Sequence, residues 1–297
     1  MAHITLLDGS IGQELVRRSG DRPTPLWSTR VMMDRPELVG DVHDEYFRRG
    51  ATVATTNTYA VHRSRLVRAG MEDQFADLIN AALTQAEQAR GANGGRIAGA
   101  LGPLLASYRP DLKPDPDDAA DKFAELVGLM ADRVDLFLIE TVCSLQEAEG
   151  ALRGMAQGGK PVWLGLSVMD EDGTRLRSGE ALSDIAPVVT RFAPEAVLIN
   201  CSRPEAIPAA LEVIAKFGRP FGAYANGFTG ITQKFLEDAP TVDALEQRND
   251  LGPDAYADHA MAWVAQGATI VGGCCEVGPD HIETLANRLR AAGHRIV

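Results

Sequence analysis

Short apolar runs alternate with longer helical stretches along the whole chain. Eight runs have strand length: Ile4–Leu7, Thr52–Thr56, Arg96–Ala100, Leu136–Glu140, Val162–Ser167, Ala196–Asn200, Phe221–Tyr224 and Ala268–Gly272. Near-continuous apolar runs of this kind fit parallel strands covered on both faces. Between them lie segments with helical spacing and helix start signals. Pro36-Glu37 opens a segment reaching Arg49, and Asp73 to Arg90 is rich in alanine, leucine and glutamine. Pro116-Asp117-Asp118 opens the next, and Ser144-Leu145-Gln146-Glu147 is a capping-box pattern. Glu180–Phe192, Pro204–Phe217, Pro253–Gln266 and Pro279–Ala292 complete eight helices. Eight uninterrupted strand–helix pairs predict a closed parallel (β/α)8 TIM barrel, one domain over residues 1–297. The competitor is a doubly wound open sheet. It would usually carry a glycine fingerprint after its first strand, and Asp8-Gly9-Ser10-Ile11-Gly12 lacks that spacing.

The bulk numbers narrow the function. Hydrophobic residues make up 45% of the 297, enough for one large core. A net charge of -12 argues against nucleic acid, whose phosphates demand a basic face. No run of eighteen apolar residues is present to span a membrane. The start, Met1-Ala2-His3-Ile4-Thr5, does not read as a signal peptide. Four cysteines in a chain this long do not resemble a disulfide framework. A cytoplasmic protein with reduced thiols is the expectation.

The cysteines then become the strongest chemical signal. Cys274-Cys275 follows Gly272-Gly273 at the end of the eighth run, and Cys201 closes the sixth. Neighbouring side chains in a strand point to opposite faces, so the pair can share a target only where extension stops. The two glycines would supply that backbone freedom. Three thiolates converging on the barrel mouth suit a zinc ion with one open position. The alternatives are small buried apolar residues or a vicinal disulfide. Cys143 is read as a packed residue near the rim; as a fourth ligand it would close the site and make it structural. Asp8 and Glu140 close the first and fourth strands at the same mouth, where an ammonium group on a small substrate is their natural partner. The row Thr55-Thr56-Asn57-Thr58-Tyr59 either binds a substrate carboxylate or caps the next turn. Long loops at 102–115, 169–179 and 226–252 rim that face.

Several pieces, in order along nearly the whole chain, resemble the homocysteine S-methyltransferase family. They are Leu7-Asp8-Gly9-Ser10-Ile11-Gly12-Gln13-Glu14-Leu15, Thr56-Asn57-Thr58-Tyr59, Glu140-Thr141, Asn200-Cys201 and Gly272-Gly273-Cys274-Cys275, followed by Pro279-Asp280-His281-Ile282. Pro25-Leu26-Trp27-Ser28, Pro36-Glu37-Leu38 and His43 are similar to the branch that uses S-methylmethionine. The resemblance implies a (β/α)8 barrel, zinc on Cys201, Cys274 and Cys275, and homocysteine as methyl acceptor, giving methionine. Its substrate acids fall on Asp8 and Glu140, and the substrate carboxylate is then expected at backbone amides near Gly9 and the Thr55–Thr58 turn, with Thr56 and Asn57. A sulfonium or ammonium donor is implied: S-methylmethionine first, then S-adenosylmethionine, then betaine. Trp27, Tyr59 and Tyr224 are the aromatic candidates for holding it. Two departures fall on the donor side. Glu276-Val277 stands where the family often has Gly-Thr, and Tyr224-Ala225-Asn226-Gly227-Phe228 where the branch tends to have Tyr-Pro-Asn-Ser-Gly. The rival readings are a barrel lyase or aldolase with a structural zinc site, and a non-catalytic thiol-binding protein.

Overall fold

Eight parallel strands form where the apolar runs place them: β1 (His3–Leu6), β2 (Val53–Thr55), β3 (Arg96–Leu101), β4 (Leu136–Val142), β5 (Val162–Leu166), β6 (Ala196–Asn200), β7 (Phe221–Tyr224) and β8 (Ile270–Val271). The computed structural model describes residues 1–20, 26, 28–237, 241 and 244–297. Neighbours from β2 to β8 pair in chain order, and β8 pairs with β1 through Thr5–Ile270 and Leu6–Val271. The ring closes at a parallel bridge between Leu7 and Val53, backed by Thr52 N–H to Leu6 O at 2.7 Å and Asp8 N–H to Val53 O at 3.1 Å. The closed (β/α)8 barrel is therefore the fold. A ninth strand, β9 (Arg295–Ile296), was not legible in the pattern. It pairs with β1 at His3 and Ile4, below the point where β2 joins β1.

Two apolar layers hold the barrel. Leu7, Val53, Ala98, Leu136, Leu138, Trp163, Ala196, Leu198, Tyr224 and Ile270 pack together as its filling. The outward strand residues pack on the helices in a second, larger cluster that includes Ile139, Leu164, Val197, Ile199 and Leu285. The period of two then decides where the polar strand ends go. Glu140 follows Leu136 and Leu138 on the inner face, Asn200 follows Ala196 and Leu198, and Tyr224 follows Gly222. Each sits at the carboxyl end of its strand, the end where barrels of this kind carry their chemistry.

The predicted helices form with shifted ends: Pro36–Arg49, Phe75–Asn93, Pro116–Met130, Leu145–Met155, Ala186–Phe192, Ile207–Ile214, Pro253–Ala265 and Pro279–Ala291. Glu147 N–H bonds the Ser144 hydroxyl at 3.2 Å, as the cap pattern predicts. The Glu147 carboxylate accepts from Cys143 N–H at 2.7 Å and also meets the Ser144 backbone. An extra helix, Ile11–Ser19, follows β1 and is capped by Ser10. No helix among the described residues is long and apolar enough to cross a membrane.

Gly222 tests the tightness of this ladder. A Cβ there would collide with the Ile270 carbonyl of β8. Gly222→Ala is expected to destabilise the fold by about 1–3 kcal/mol, the usual cost of overpacking. Chemical denaturation reads this directly.

Candidate active site

Cys201, Cys274 and Cys275 converge. Their sulfur atoms all lie within 4.8 Å of one another. Cys201 reaches the pair from nearby rather than from across the barrel mouth, since only β7 separates β6 from β8. The end of β7 is the spacer. Tyr224 O accepts from Cys201 N–H at 3.3 Å, and Ala225 O accepts from Cys274 N–H at 2.9 Å. Tyr256 pins this edge, donating from its hydroxyl to Gly272 O at 2.6 Å and accepting from Ala225 N–H at 3.0 Å.

The glycines before the pair serve a different purpose from the one expected. Neither Gly272 nor Gly273 has a left-handed φ. A Cβ on Gly272 would strike the Leu7 side chain, and one on Gly273 would strike Val277. They permit close approach of β8 to the end of β1, where Gly273 N–H meets Asp8 O at 3.0 Å. Left-handed backbone is found instead at Cys201 (φ 48°) and at Glu276 (φ 63°). Non-glycine residues in that region cost roughly 1–3 kcal/mol and persist only where neighbours over-determine them.

The expectation of reduced thiols meets one difference. Cys201 and Cys274 are joined as a disulfide, with Cα atoms 5.9 Å apart, while Cys143 and Cys275 are free thiols. The pairing is not the vicinal one. A tetrahedral zinc with ~2.3 Å bonds holds its sulfurs roughly 3.8 Å apart, so a modest separation of the reduced pair fits these three soft donors to that ion. Cys143 stands outside the group. It is buried, and its thiol donates to Thr141 O at 3.2 Å.

The acids line the cavity beside the sulfurs. It is walled by Asp8, Gly9, Thr55, Thr56, Asn57, Glu140, Tyr224 and the three cysteines, among others. Asp8 is buried and accepts from Thr55 N–H at 2.7 Å and the Thr55 hydroxyl at 2.9 Å. Burial nevertheless drives its pKa well above the ordinary carboxylate value, and the charge of Glu140 adds to the rise. Glu140 is pushed up to about 7 by burial, against the Tyr224 hydroxyl, which lowers it. The Tyr224 hydroxyl and the Glu140 carboxyl thus face each other in the cavity.

A bulge after Glu140 is clasped by a residue that sequence reasoning quoted but gave no role. Asn200 Oδ1 accepts from Thr141 N–H at 3.0 Å, and its Nδ2 donates to the Thr141 hydroxyl at 3.2 Å. Thr141 is itself left-handed, with φ 60°. Asn200 thus ties the Glu140 end of β4 to the residue preceding Cys201. Only its place beside Cys201 signalled it.

The other candidates are more committed to the scaffold. The Thr56 hydroxyl contacts that of Thr58 at 2.6 Å and accepts from Ala100 N–H at 3.0 Å. Asn57 accepts from the Ser28 hydroxyl at 2.7 Å. Gly9 has no room for a Cβ, which would meet Val277 O and the Tyr46 hydroxyl. Of the aromatic candidates, Tyr59 lines the cavity, bonds Ser107 at 2.8 Å and carries the Arg65 guanidinium over its ring at 5.7 Å. Trp27 lies outside the described residues. Three further aromatic walls were missed: Tyr108, Phe228 and Phe235. They belong to the long loops after β3 and β7, where no periodicity marks a side chain as inward.

The chain belongs to the homocysteine S-methyltransferase family. The family profile so described matches residues 5–289. The Escherichia coli homocysteine S-methyltransferase is 27% identical, covering 96% of this chain and 95% of the relative. The enzyme YbgG of Bacillus subtilis is 26% identical, covering 95% and 93%. The crystal structure of the E. coli homocysteine methyltransferase MmuM in its metallated form superposes with a TM-score of 0.80 at 27% identity, over 96% of each chain. An oxidised form of the same enzyme gives 0.81. The family expectation and its barrel hold, and the protein is an enzyme of this family.

Glu140 yields a pH-dependent prediction. Its carboxyl holds a proton more tightly folded than unfolded, so between about pH 4.5 and 7 the native state binds more protons and stability falls as pH rises. Glu140→Gln removes that penalty. The variant is expected to gain up to roughly 3 kcal/mol over the parent at pH 8 and little near pH 4.5. Denaturation at the two pH values measures the difference.

Proposed function

We propose that the protein transfers a methyl group from a cationic donor to the thiol of homocysteine, with zinc held by Cys201, Cys274 and Cys275. The observation that carries this reading is the convergence of three cysteine sulfurs on a cavity that also holds two buried acids. Zinc, when bound, keeps a ligated thiol deprotonated at neutral pH, where a free thiol with a pKa of about 8.5 is mostly protonated. Three cysteinates exceed the charge of the metal, so a thiol held there retains electron density for attack. The soft donor set favours zinc over hard cations.

The chain's own groups would do the rest. Glu140 and Asp8 hold the amino group of homocysteine; its ammonium supplies the counter-charge that two buried carboxylates otherwise lack. The Tyr224 hydroxyl orients Glu140. Backbone near Gly9, Thr56 and Asn57 receives the substrate carboxylate, because the side chains of Thr56 and Asn57 are already bonded to the scaffold. The donor enters on the side of the long loops, against Tyr59, Tyr108, Phe228 and Phe235, with Trp27 as a further candidate. Attack of thiolate on a sulfonium or ammonium methyl destroys one positive and one negative charge, so apolar walls favour it over water. S-methylmethionine is the first-choice donor, S-adenosylmethionine the second and betaine the third. A reducing compartment such as the cytoplasm suits a site of three thiolates.

Turnover with homocysteine against those three donors, under reducing conditions, tests the reading. Methionine formed with S-methylmethionine supports it; no turnover with any of the three contradicts it. Cys275→Ala is expected to lose zinc and activity while keeping the fold, which metal analysis and circular dichroism check together. Glu140→Ala is expected to raise the KM for homocysteine far more than that for the donor, as two-substrate kinetics will show.

A further inference from the structure

The segment between β5 and the helix at Ala186–Phe192 carries a buried ion pair that the reaction as described does not use. Val168–Leu176 and Arg175–Ala181 bridges fold it into a small antiparallel turn. The turn sends Arg177 and Asp170 inward, where their side chains are 11% and 7% exposed and 3.0 Å apart. Arg177 spreads its remaining donors over the end of β6. Its Nη2 donates to Cys201 O at 3.0 Å, and its Nε donates to the Ser167 hydroxyl at 2.7 Å. That hydroxyl lies 3.2 Å from the same Cys201 carbonyl and donates to it. Asp170 accepts from Arg203 N–H at 3.0 Å, two residues further on. The guanidinium also lies 4.9 Å from the Tyr108 ring centre, and that ring walls the cavity beside Cys201.

Cys201 is left-handed and not a glycine, so its conformation needs outside support. We infer that Arg177 is a positioning residue for the metal centre: with Ser167 and Asp170 it locks the Cys201 peptide so that its thiol meets those of Cys274 and Cys275, and it holds Tyr108 over them. A guanidinium suits this task because its planar fork serves several acceptors at once, which a lysine ammonium on a flexible stem does not. Groups that orient metal ligands in this way typically contribute 10–100-fold in metal affinity. The inference rests on the proposed zinc site.

Arg177→Gln alone would strand the buried Asp170 carboxylate, so the test pairs it with Asp170→Asn, removing both charges together. Cobalt and zinc affinities of the reduced full-length chain are measured by chelator competition, with the cobalt absorption spectrum and the thermal melt of the metal-free chain. The expected result is affinity weakened roughly 10–100-fold with an altered cobalt spectrum. Arg177→Lys is expected to weaken binding as well. Parent-like affinity in the folded double variant, or full affinity in Arg177→Lys, overturns the inference. Should the double variant not fold, Ser167→Ala decides. It removes the second donor to the Cys201 carbonyl, and a weaker cobalt complex supports the inference while an unchanged one overturns it. A parent chain that takes up no cobalt would instead overturn the zinc reading itself.

Discussion

Everything at the mouth depends on the spacing that β7 enforces between β6 and β8. β6 and β8, each followed by cysteine, are held one strand apart, and the Cys201 and Cys274 amides bond to consecutive carbonyls at the end of that spacer. The donors are therefore brought together by the sheet ladder, an element that also carries the core. Parallel pairing of β1 with β8 through Thr5–Ile270 and Leu6–Val271 brings Asp8 beside the end of β8, where its carbonyl accepts from Gly273 N–H. Strand order and register thus bring these groups together, and the loops wall the cavity and brace its edge.

The same register creates the electrostatic tension of the cavity. Inward positions filled by leucine lower in β4 and β6 become Glu140 and Asn200 at the top. A carboxyl in that place is desolvated, and Asp8 adds a second. Burial raises the pKa of both and so disfavours their ionised forms, which an incoming ammonium would favour. Stability is given up at the position where the proposed substrate ammonium would bind. Strained backbone clusters in the same region, at Thr141, Cys201 and Glu276, each over-determined by side chains from a neighbouring strand end, loop or helix.

Much of this was legible in the chain. Strands buried on both faces announce themselves as apolar runs, and the acids and cysteines stand at their ends, so barrel and donor set follow from pattern and residue type. The short β9 has too little apolar content to register. The helix at Ile11–Ser19 went unread because Asp8-Gly9-Ser10-Ile11-Gly12 was weighed against a glycine fingerprint and for the acid Asp8, not for the cap that Ser10 supplies. The role of Gly272-Gly273 was misjudged because sequence shows that a side chain is missing but not what would occupy its place. Asn200, Tyr108 and Arg177 act through contacts between elements far apart in the chain, and neither periodicity nor local spacing encodes such partners.

The most direct measurement of the central claim is zinc-edge X-ray absorption on the reduced, zinc-loaded chain, recorded alone and then with homocysteine. Three sulfur neighbours at about 2.3 Å plus one lighter atom are expected in the first spectrum, and four sulfurs in the second. Four sulfurs before homocysteine is added, or no change after it, would contradict an open three-cysteine site.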